Sequence, residues 1–364
     1  MSFLIFFIIT LFIAGIQTVI PFLVNRAIVF GVMIPEQHIE DDSIKKFKKH
    51  YSMIVGLLSI VILTSYIGWT FSNARQDNEV ALAGAIIEFA LIFISLSFYL
   101  YYHGKTKQLK QQNQWVEHLK PMKVTDLSVR KQDEMLPWYV YLLPILSTIG
   151  LLIYTVLNYD LLPDQIPTHW GPSGEADAFT VKTPFSSVQL SLFLLIMQLM
   201  FLGIHIATKN SGIKLSATAL ESSRNRQLTL RKSSSWFLYI VLLGATMLMS
   251  YFQLTTIHPE IGEGTVKILI PFSFLILVLV GTLIFAIKVG RSDKEIAQSV
   301  EAQIMDLDED KYWKGGIFYF NKNDPSIFVE KRFGVGWTIN FANPIGYLIV
   351  FLPIVLIILI SVLA

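Results

Sequence analysis

The residues most suited to chemistry lie in one polar segment, residues 162–179, which interrupts a long apolar part of the chain. His169, Glu175 and Asp177 supply an imidazole and two carboxylates. Such groups coordinate zinc or a similar ion, and they also form hydrogen bonds to ligands. A third use is structural, since His169 and Asp177 can hydrogen-bond the backbone of their own segment and hold its shape. The sequence leaves these three uses open.

The same segment has the composition of a shaped loop. Prolines such as Pro167 fix the backbone dihedral φ and remove a hydrogen-bond donor, whereas Gly174 permits a tight turn. We therefore expect a rigid recognition loop and not a flexible connector. Its candidate ligand-recognition or loop-shaping residues are Pro167, His169, Trp170, Gly174, Glu175 and Asp177.

A metal site would need ligands from outside this segment. His258 and Glu260, in a second polar stretch, are candidates beside His169 and Asp177, and Glu263 in the same stretch is a further possible ligand. Their spacing matches no compact motif such as His-Glu-x-x-His, so the metal hypothesis rests on residue type alone. The sequence contains no cysteine, which excludes thiolate sites and disulfides. No cofactor is expected, and a bound metal ion is kept as an alternative.

Glu88 is the acidic residue that lies well inside an apolar stretch. A carboxylate at the centre of a membrane helix costs about 2.5–3.5 kcal/mol on insertion scales, so it needs a partner or a water-filled cavity. One interpretation is a site for a proton or a substrate cation. The other is a protonated Glu88 bonded to a neighbouring helix. Gln198 and Gln17, which also lie in apolar stretches, are the candidate partners.

The elements that position these residues follow from composition. Hydrophobic residues make up 53% of the 364 residues, charged residues make up 15%, and the mean hydropathy is +0.54. This composition indicates a multi-pass membrane protein, whose spans must be helical because unpaired backbone groups are not tolerated in lipid. The expected fold class is all-α. A span of about 20 apolar residues predicts eight helices, at residues 3–24, 52–71, 80–102, 137–157, 187–207, 236–255, 266–288 and 345–363.

The basic residues alternate from loop to loop. All but three of the 29 Lys and Arg residues lie in four loops, residues 25–51, 103–136, 208–235 and 288–344. The exceptions lie singly in the other loops and are Arg75, Lys182 and Lys267. Because basic loops remain in the cytoplasm, the pattern places both termini and the segment 162–179 outside.

The basic loop at residues 103–136 predicts a helix that extends the third span as far as Pro121. Trp115 and Leu119 are four residues apart and would share one face of it. This face indicates a solvated or membrane-surface helix.

The last cytoplasmic loop has two parts. Apolar residues at helical spacing predict an amphipathic helix over residues 292–309. Residues 313–344 contain three runs rich in β-branched and aromatic residues, separated by turn residues, and predict a small antiparallel β meander before the last helix. The expected regions of the chain are 1–136, 137–210 with the outer loop 158–186, 211–288, 289–344 and 345–364.

Two blocks of the sequence resemble known families. Residues 162–177 contain a Leu-Pro, an Ile-Pro-x-His and a Gly-x-x-Asp series between two spans, and they resemble the hallmark of the DUF1648 family of bacterial integral membrane proteins. Residues 313–344 resemble the DUF5808 module through Gly-Ile-Phe-Tyr-Phe-Asn, Asn-Asp-Pro-Ser-Ile-Phe-Val and Gly-Trp-Thr-Ile-Asn-Phe-Ala-Asn-Pro. The resemblance implies a multi-pass protein in the cell membrane of Gram-positive bacteria. Relatives with the first motif include immunity proteins for secreted toxins of the SDP type, which also signal to a cytoplasmic repressor, so it further implies immunity or peptide sensing.

The leading functional hypothesis is a non-enzymatic membrane protein that recognises a ligand on its outer face. That ligand would be a secreted peptide or toxin, and the cytoplasmic meander would carry the output to a cytoplasmic regulator. The alternatives are a secondary transporter or flippase-like carrier that uses Glu88, and a metal-dependent membrane hydrolase. The sequence has no nucleotide-binding loop or Ser-His-Asp order. Membrane lipid is an expected partner and nucleic acid is not, because the basic residues lie where topology requires them.

Overall fold

Apolar segments form helices in lipid because every backbone N–H and C=O group then bonds within its own segment. The computed structural model describes residues 1–72, 75–124, 126–293 and 304–363. Eight helices in these ranges are long and apolar enough to cross a membrane, which confirms the predicted all-α, multi-pass fold. The helices are α1 (Ser2–Val19), α2 (Asp42–Ser72), α3 (Asp77–Gln112), α4 (Leu142–Leu157), α5 (Gln189–Asn210), α6 (Leu220–Ile257), α7 (Val266–Arg291) and α8 (Pro344–Leu363).

Three helices exceed their predicted spans by nine residues or more, because Lys, Arg, Gln and Glu continue a helix beyond its apolar part. α2 and α3 are extended at their basic ends, and α6 begins at Leu220. The predicted extension of α3 is correct only as far as Gln112. Gln114 adopts a left-handed φ of 53°, and Trp115 leaves the helix to stack on His38 with ring centroids 4.6 Å apart. The predicted helical face shared by Trp115 and Leu119 is therefore wrong.

Strands occupy the parts of the chain between the helices. They pair in twos across the described residues, four pairs antiparallel and one pair, β3 with β6, parallel. The strands are β1 (Ile28–Val29), β2 (Val32–Met33), β3 (Lys120–Met122), β4 (Gln165–Trp170), β5 (Ala176–Val181), β6 (Ile304–Asp306), β7 (Trp313–Lys314), β8 (Phe318–Tyr319), β9 (Phe328–Glu330) and β10 (Trp337–Ile339).

The contacts divide the chain into two compact units. The first consists of residues 1–134, 211–233 and 283–343, and the second of residues 135–210, 234–282 and 344–364. The described parts of all four basic loops lie mainly in the first unit. The four loops that were predicted to share one side of the membrane thus belong mainly to one unit.

The first unit contains the helices α1, α2 and α3 packed on one another. A Cβ added to Gly84 on α3 would lie only 2.5 Å from the Phe6 side chain on α1, so a glycine allows the two helices to approach closely. At the N-terminus of α1, the Ser2 hydroxyl donates to the Asp77 carboxylate at 2.8 Å. This bond ties the first residues of α1 to the first turn of α3.

The β1–β2 hairpin is buried in the first unit, with Val29 and Val32 almost inaccessible to solvent. Its turn includes Gly31, whose φ is +77°. A Cβ on Gly31 would lie 2.5 Å from the Cα atom of Gly316, which belongs to the last basic loop. Only glycine fits this crossing of two backbones.

The region before α8 contains short antiparallel strands, as predicted for residues 313–344, but they form two separate pairs. β7 pairs with β8 and β9 pairs with β10, and a single bridge connects Tyr319 to Asn340. The Asn340 side-chain nitrogen donates to the carbonyls of Asn321 and Asp324 at 2.9 and 3.0 Å. A side chain thus replaces the ladder of backbone hydrogen bonds that a continuous meander would have.

The predicted amphipathic helix at residues 292–309 is wrong where the structure describes it. Residues 304–306 form β6, which pairs in parallel with residues 120–122. The backbone groups of β3 are satisfied by this pairing, which the periodicity of a single segment cannot anticipate. Residues 294–303 of the predicted helix lie outside the described residues.

In the second unit, α5 packs between α4 and α8, and Gln198 is buried at its centre. The Gln198 side-chain nitrogen donates to the Pro144 carbonyl at 3.1 Å and contacts the hydroxyls of Thr148 and Thr246 at 2.7 and 3.0 Å. Pro144 is part of α4 and Thr246 is part of α6. Gln198 therefore links three helices with hydrogen bonds inside its own unit.

Candidate functional site

The polar segment predicted as a shaped loop is a β-hairpin in the second unit. Its two strands, β4 and β5, pair antiparallel with register shifts midway, and such bulges bend a hairpin. The Gly171 N–H donates to the Glu175 carbonyl at 2.8 Å, and the Gly174 N–H donates to the Gly171 carbonyl at 2.9 Å. Glycines at these positions close the turn, so the segment is a regular hairpin and not the irregular loop that was expected.

The turn of the hairpin lies directly on the first residues of α7. Gly174 has a φ of +79°, and a Cβ at this position would lie 2.3 Å from the Lys267 carbonyl oxygen. Glu175, the next residue, forms an ion pair with the Lys267 ammonium group. Gly174 and Glu175 thus hold the turn against α7 by close approach and by charge.

The first strand of the hairpin lies against the end of α6. The Trp170 ring stacks on Phe252 with the ring centroids 4.3 Å apart and an interplanar angle of 19°. A small buried cluster of β4 and α6 also includes the residue before the hairpin; its members are Leu162, Ile166 and Ile257. Apolar packing therefore fixes β4 on α6 while the ion pair fixes the turn on α7.

A cleft with a volume of about 540 Å³ lies between the hairpin and the ends of α6 and α7. This size is within the range of small-ligand sites. The cleft is lined by Pro167, Trp170, Gly174, Glu175, Ala176, Tyr251, Phe252, Thr255, Thr256, Pro259, Gly262, Glu263, Gly264 and Lys267.

Tyr251 is the unusual group in this lining. Its side chain is 8% exposed, and its hydroxyl has no hydrogen-bond partner within the described part of the chain. A buried hydroxyl without a partner costs about 1–3 kcal/mol, so proteins normally satisfy it. A ligand atom in the cleft would do so.

The structure separates the predicted recognition residues into two groups. Pro167, Trp170, Gly174 and Glu175 line the cleft. His169 and Asp177 are absent from the described lining and instead pair with each other.

The His169 imidazole and the Asp177 carboxylate are 68% and 53% exposed. Asp177 also lies near the turn, since a Cβ added to Gly171 would be 2.9 Å from its carboxylate oxygen. The pair therefore spans the two strands across their bulge on the surface of the hairpin. This geometry suits a loop-shaping role, and it also leaves both groups accessible to a partner.

The four weak metal candidates form two separate pairs. The His258 imidazole contacts the Tyr154 hydroxyl at 2.8 Å and the Glu260 carboxylate at 3.5 Å. His169 and Asp177 form the other pair. Within the described ranges, no group of three or more His, Asp or Glu residues is close enough to hold a metal ion.

Glu88 lies on α3 in the first unit. Its Oε1 atom and the Oε1 atom of Gln17 on α1 are both buried, and neither has a hydrogen-bond partner among the described residues. α1 and α3 thus each carry a buried acceptor atom that lacks a donor among these residues. These atoms are compatible with a proton or cation site at Glu88 and also with a purely structural role for Glu88.

Sequence reasoning did not identify Tyr251 and Lys267 as parts of the site, and it considered Glu263 only as a possible metal ligand. A tyrosine near the end of an apolar helix is ordinary in membrane proteins, and aromatic residues at such positions need no other role. Lys267 gave the one usable signal, because it is a basic residue in an otherwise non-basic outer region.

The first unit contains a second concentration of charge. Arg226, 1% exposed, pairs with Asp293 at 3.2 Å and with Glu330 at 2.6 Å. Arg332 pairs with Asp310. These pairs satisfy cations that would otherwise be buried alone, and the contacts of Arg226 hold β9 to α6 and to the end of α7.

The pKa of the Asp310 carboxyl is governed by burial and by two cationic neighbours. Burial alone would raise the pKa of the Asp310 carboxyl, but Arg332 and Lys110 outweigh burial and hold this pKa below its ordinary value. Lys110 itself is 2.8 Å from Asp310 and 2.7 Å from Asp308. Asp310 is therefore an ionised structural carboxylate.

Within the described residues, eight apolar helices connected by short strand pairs define a multi-pass membrane protein of the all-α class. Residues 146–195, which span the hairpin and parts of α4 and α5, match the domain of unknown function DUF1648. Residues 322–347 match the family of unknown function DUF5808. The chain therefore contains both domains, which confirms the resemblance read from its motifs. Comparisons with curated proteins and with solved structures gave no significant match.

Proposed function

We propose that this chain is a non-enzymatic membrane protein that recognises a secreted peptide on its outer face. The observation that carries the proposal is the cleft of about 540 Å³ beside the hairpin, with the buried Tyr251 hydroxyl in its lining. The hairpin is fixed by stacking and by the Glu175–Lys267 pair, so the cleft is preformed and a ligand would pay little to order it. The proposal needs no metal or cofactor.

The output would be a shift between arrangements of the helix bundle. A ligand that contacts the cleft better in one arrangement raises the population of that arrangement. The strand region at residues 304–343, held by buried ion pairs, would present the changed surface to a cytoplasmic regulator. Immunity, in which binding itself removes the toxin, would need no such output.

The test is protection of a sensitive bacterium. Cells that express the chain are exposed to a panel of secreted membrane-active peptides, and the minimal inhibitory concentration is measured for each. We expect at least a fourfold increase for one peptide or more, and loss of this increase in Trp170→Ala at an equal membrane level of protein. Trp138→Ala is the matched control, because Trp138 is 53% exposed and lies at the start of the α4 region, outside the cleft lining. An unchanged inhibitory concentration for every peptide, or full protection by Trp170→Ala, contradicts the proposal.

A second candidate is a proton-coupled carrier, which the unpaired acceptors of Glu88 and Gln17 favour. Glu88→Gln should then abolish proton flux in vesicles that contain the purified protein and a pH-sensitive dye. Glu79→Gln is the control, because Glu79 is exposed at the start of the same helix. Equal flux in the wild type and Glu88→Gln removes this candidate.

A further inference from the structure

The polar groups that the cleft has available for a ligand are few. The Thr255 and Thr256 hydroxyls both donate to the Phe252 carbonyl at 2.9 Å. Lys267 is engaged by Glu175. The Tyr251 hydroxyl therefore remains as a buried group without a partner among the described residues.

Glu263 is the second available group. It lines the cleft, is exposed, and forms no ion pair or side-chain hydrogen bond within the described residues. Beside it, Gly264 has a φ of +72° and open space where a Cβ would lie. A carboxylate without a cation at the open side of a cleft is suited to a positively charged group of a ligand.

The apolar part of the cleft is aromatic. Trp170 and Phe252 stack on each other, and both line the cleft together with Pro167 and Pro259. Aromatic walls bind an aromatic or large aliphatic side chain through stacking and burial, and they also attract cations through their π faces. The volume of about 540 Å³ accommodates such a side chain with the adjoining backbone.

The charge around the cleft is predominantly negative. Lys182 and Lys267 are the basic residues of the outer segments in the second unit, and the Lys182 ammonium already donates to the Leu162 carbonyl at 2.7 Å. Against them stand the carboxylates of Asp160, Asp164, Glu175, Asp177, Glu260 and Glu263. A surface with this excess of carboxylates attracts cations and repels anions.

We infer that the cleft binds a cationic peptide by accepting one aromatic or large apolar side chain beside the Trp170–Phe252 stack. In this complex Glu263 pairs with a Lys or Arg side chain, or with the amino terminus, next to the inserted residue. The Tyr251 hydroxyl donates to a peptide carbonyl. The inference rests on the proposed function and adds to it the chemical class of the ligand.

The experiment uses the purified full-length chain in nanodiscs of zwitterionic lipid, with binding to empty nanodiscs subtracted. Three labelled ten-residue probes alternate Trp with Lys, with Gln or with Glu, so that they differ in charge alone. We expect the Lys probe to bind at least about tenfold more tightly than the Glu probe. Glu263→Gln should weaken the Lys probe about fivefold or more, and Asp160→Asn, which removes an outer charge outside the cleft lining, should change it less than twofold.

Tyr251→Phe gives a readout that misfolding cannot imitate. Removal of an unsatisfied hydroxyl should leave the thermal midpoint unchanged or higher, while the Lys probe binds about threefold or more weakly. Tyr159→Phe is the control, because Tyr159 lies outside the cleft lining and contacts Lys182 through its ring face. A Lys probe that binds Tyr251→Phe and Glu263→Gln as tightly as it binds the wild type overturns the assignment to this cleft.

The probes distinguish failure of the cationic ligand class from failure of the proposed function. Equal binding of all three probes, weakened by Trp170→Ala, overturns the cationic class and leaves outer-face peptide recognition intact. Binding of none of the three overturns the cationic class, and together with unchanged protection in cells it overturns the proposed function as well.

Discussion

The guanidinium group of Arg332 forms a buried ion pair with the carboxylate of Asp310, and the same guanidinium donates to the Gly31 carbonyl at 2.9 Å. Arg332 is 6% exposed and Lys110, the second cation on Asp310, is 5% exposed. Asp310 therefore pairs with two buried cations, one from α3 and one from the turn after β9. This arrangement makes the strand region and the first helices one structural body within the first unit.

Asp310→Asn should lower the stability of the first unit strongly. The substitution leaves Arg332 and Lys110 buried without their common anion, and breaking such a pair costs about 3–5 kcal/mol. Thermal unfolding in nanodiscs measures the change. The control is Glu40→Gln, whose partner Lys45 is 55% exposed at 3.0 Å, and which should cost about 1 kcal/mol or less. Similar losses for the two variants would show that the Asp310 pairs are solvated.

Acid should loosen the strand region before the helices. The folded-state pKa of Asp310 is lowered by Arg332 and Lys110, so its stabilising contribution is complete above the ordinary carboxyl pKa of about 3.9 and is lost as the pH falls through the folded-state value. Hydrogen exchange of residues 304–340, corrected for the intrinsic pH dependence, should therefore show less protection below about pH 4. Asp310→Asn should lack this acid-dependent step. If Asp310→Asn shows an acid-dependent loss of protection as large as that of the wild type, another carboxyl group is responsible for it.

Gly174→Ala should detach the hairpin from α7. The added methyl group would lie 2.3 Å from the Lys267 carbonyl oxygen, and a φ of +79° disfavours any side chain. Hydrogen exchange of residues 165–181 should rise by at least tenfold. Gly264→Ala carries a similar strain at a φ of +72° but meets no atom within 4 Å, so it isolates the clash from the strain. Equal hydrogen exchange in the two variants would show that the close approach of Gly174 to Lys267 is not the cause of the increase.

Glu88→Leu should stabilise the helix bundle of the first unit by about 1–3 kcal/mol, because the buried Oε1 atom has no donor among the described residues. The thermal midpoint in nanodiscs measures the effect. Glu79→Leu, at an exposed position on the same helix, should leave the midpoint nearly unchanged. A lower midpoint for Glu88→Leu would mean that a water or a donor satisfies the carboxyl group.

The membrane helices could be predicted because hydropathy and the charge pattern are local properties of the chain. The grouping of Trp170 and Gly174 beside one cleft could also be anticipated, since a turn and its flanking aromatic residue lie within one segment. Tyr251 and Lys267 could not be assigned, because their role arises from the approach of α6 and α7 to the hairpin. The strand at residues 304–306 depends on a partner at residues 120–122, and no periodicity in either segment reveals that pairing.

The bond from Arg332 to Gly31 joins positions that are 301 residues apart in sequence. At a synthesis rate of about 5–20 residues per second, the β1–β2 hairpin emerges about 15–60 seconds before the residues that cover it. During this interval several helices can already have entered the membrane, while the hairpin and its apolar side chains lack their final contacts. A chain that is interrupted before Arg332 would keep that surface open and would be recognisable to quality-control proteases as unfinished.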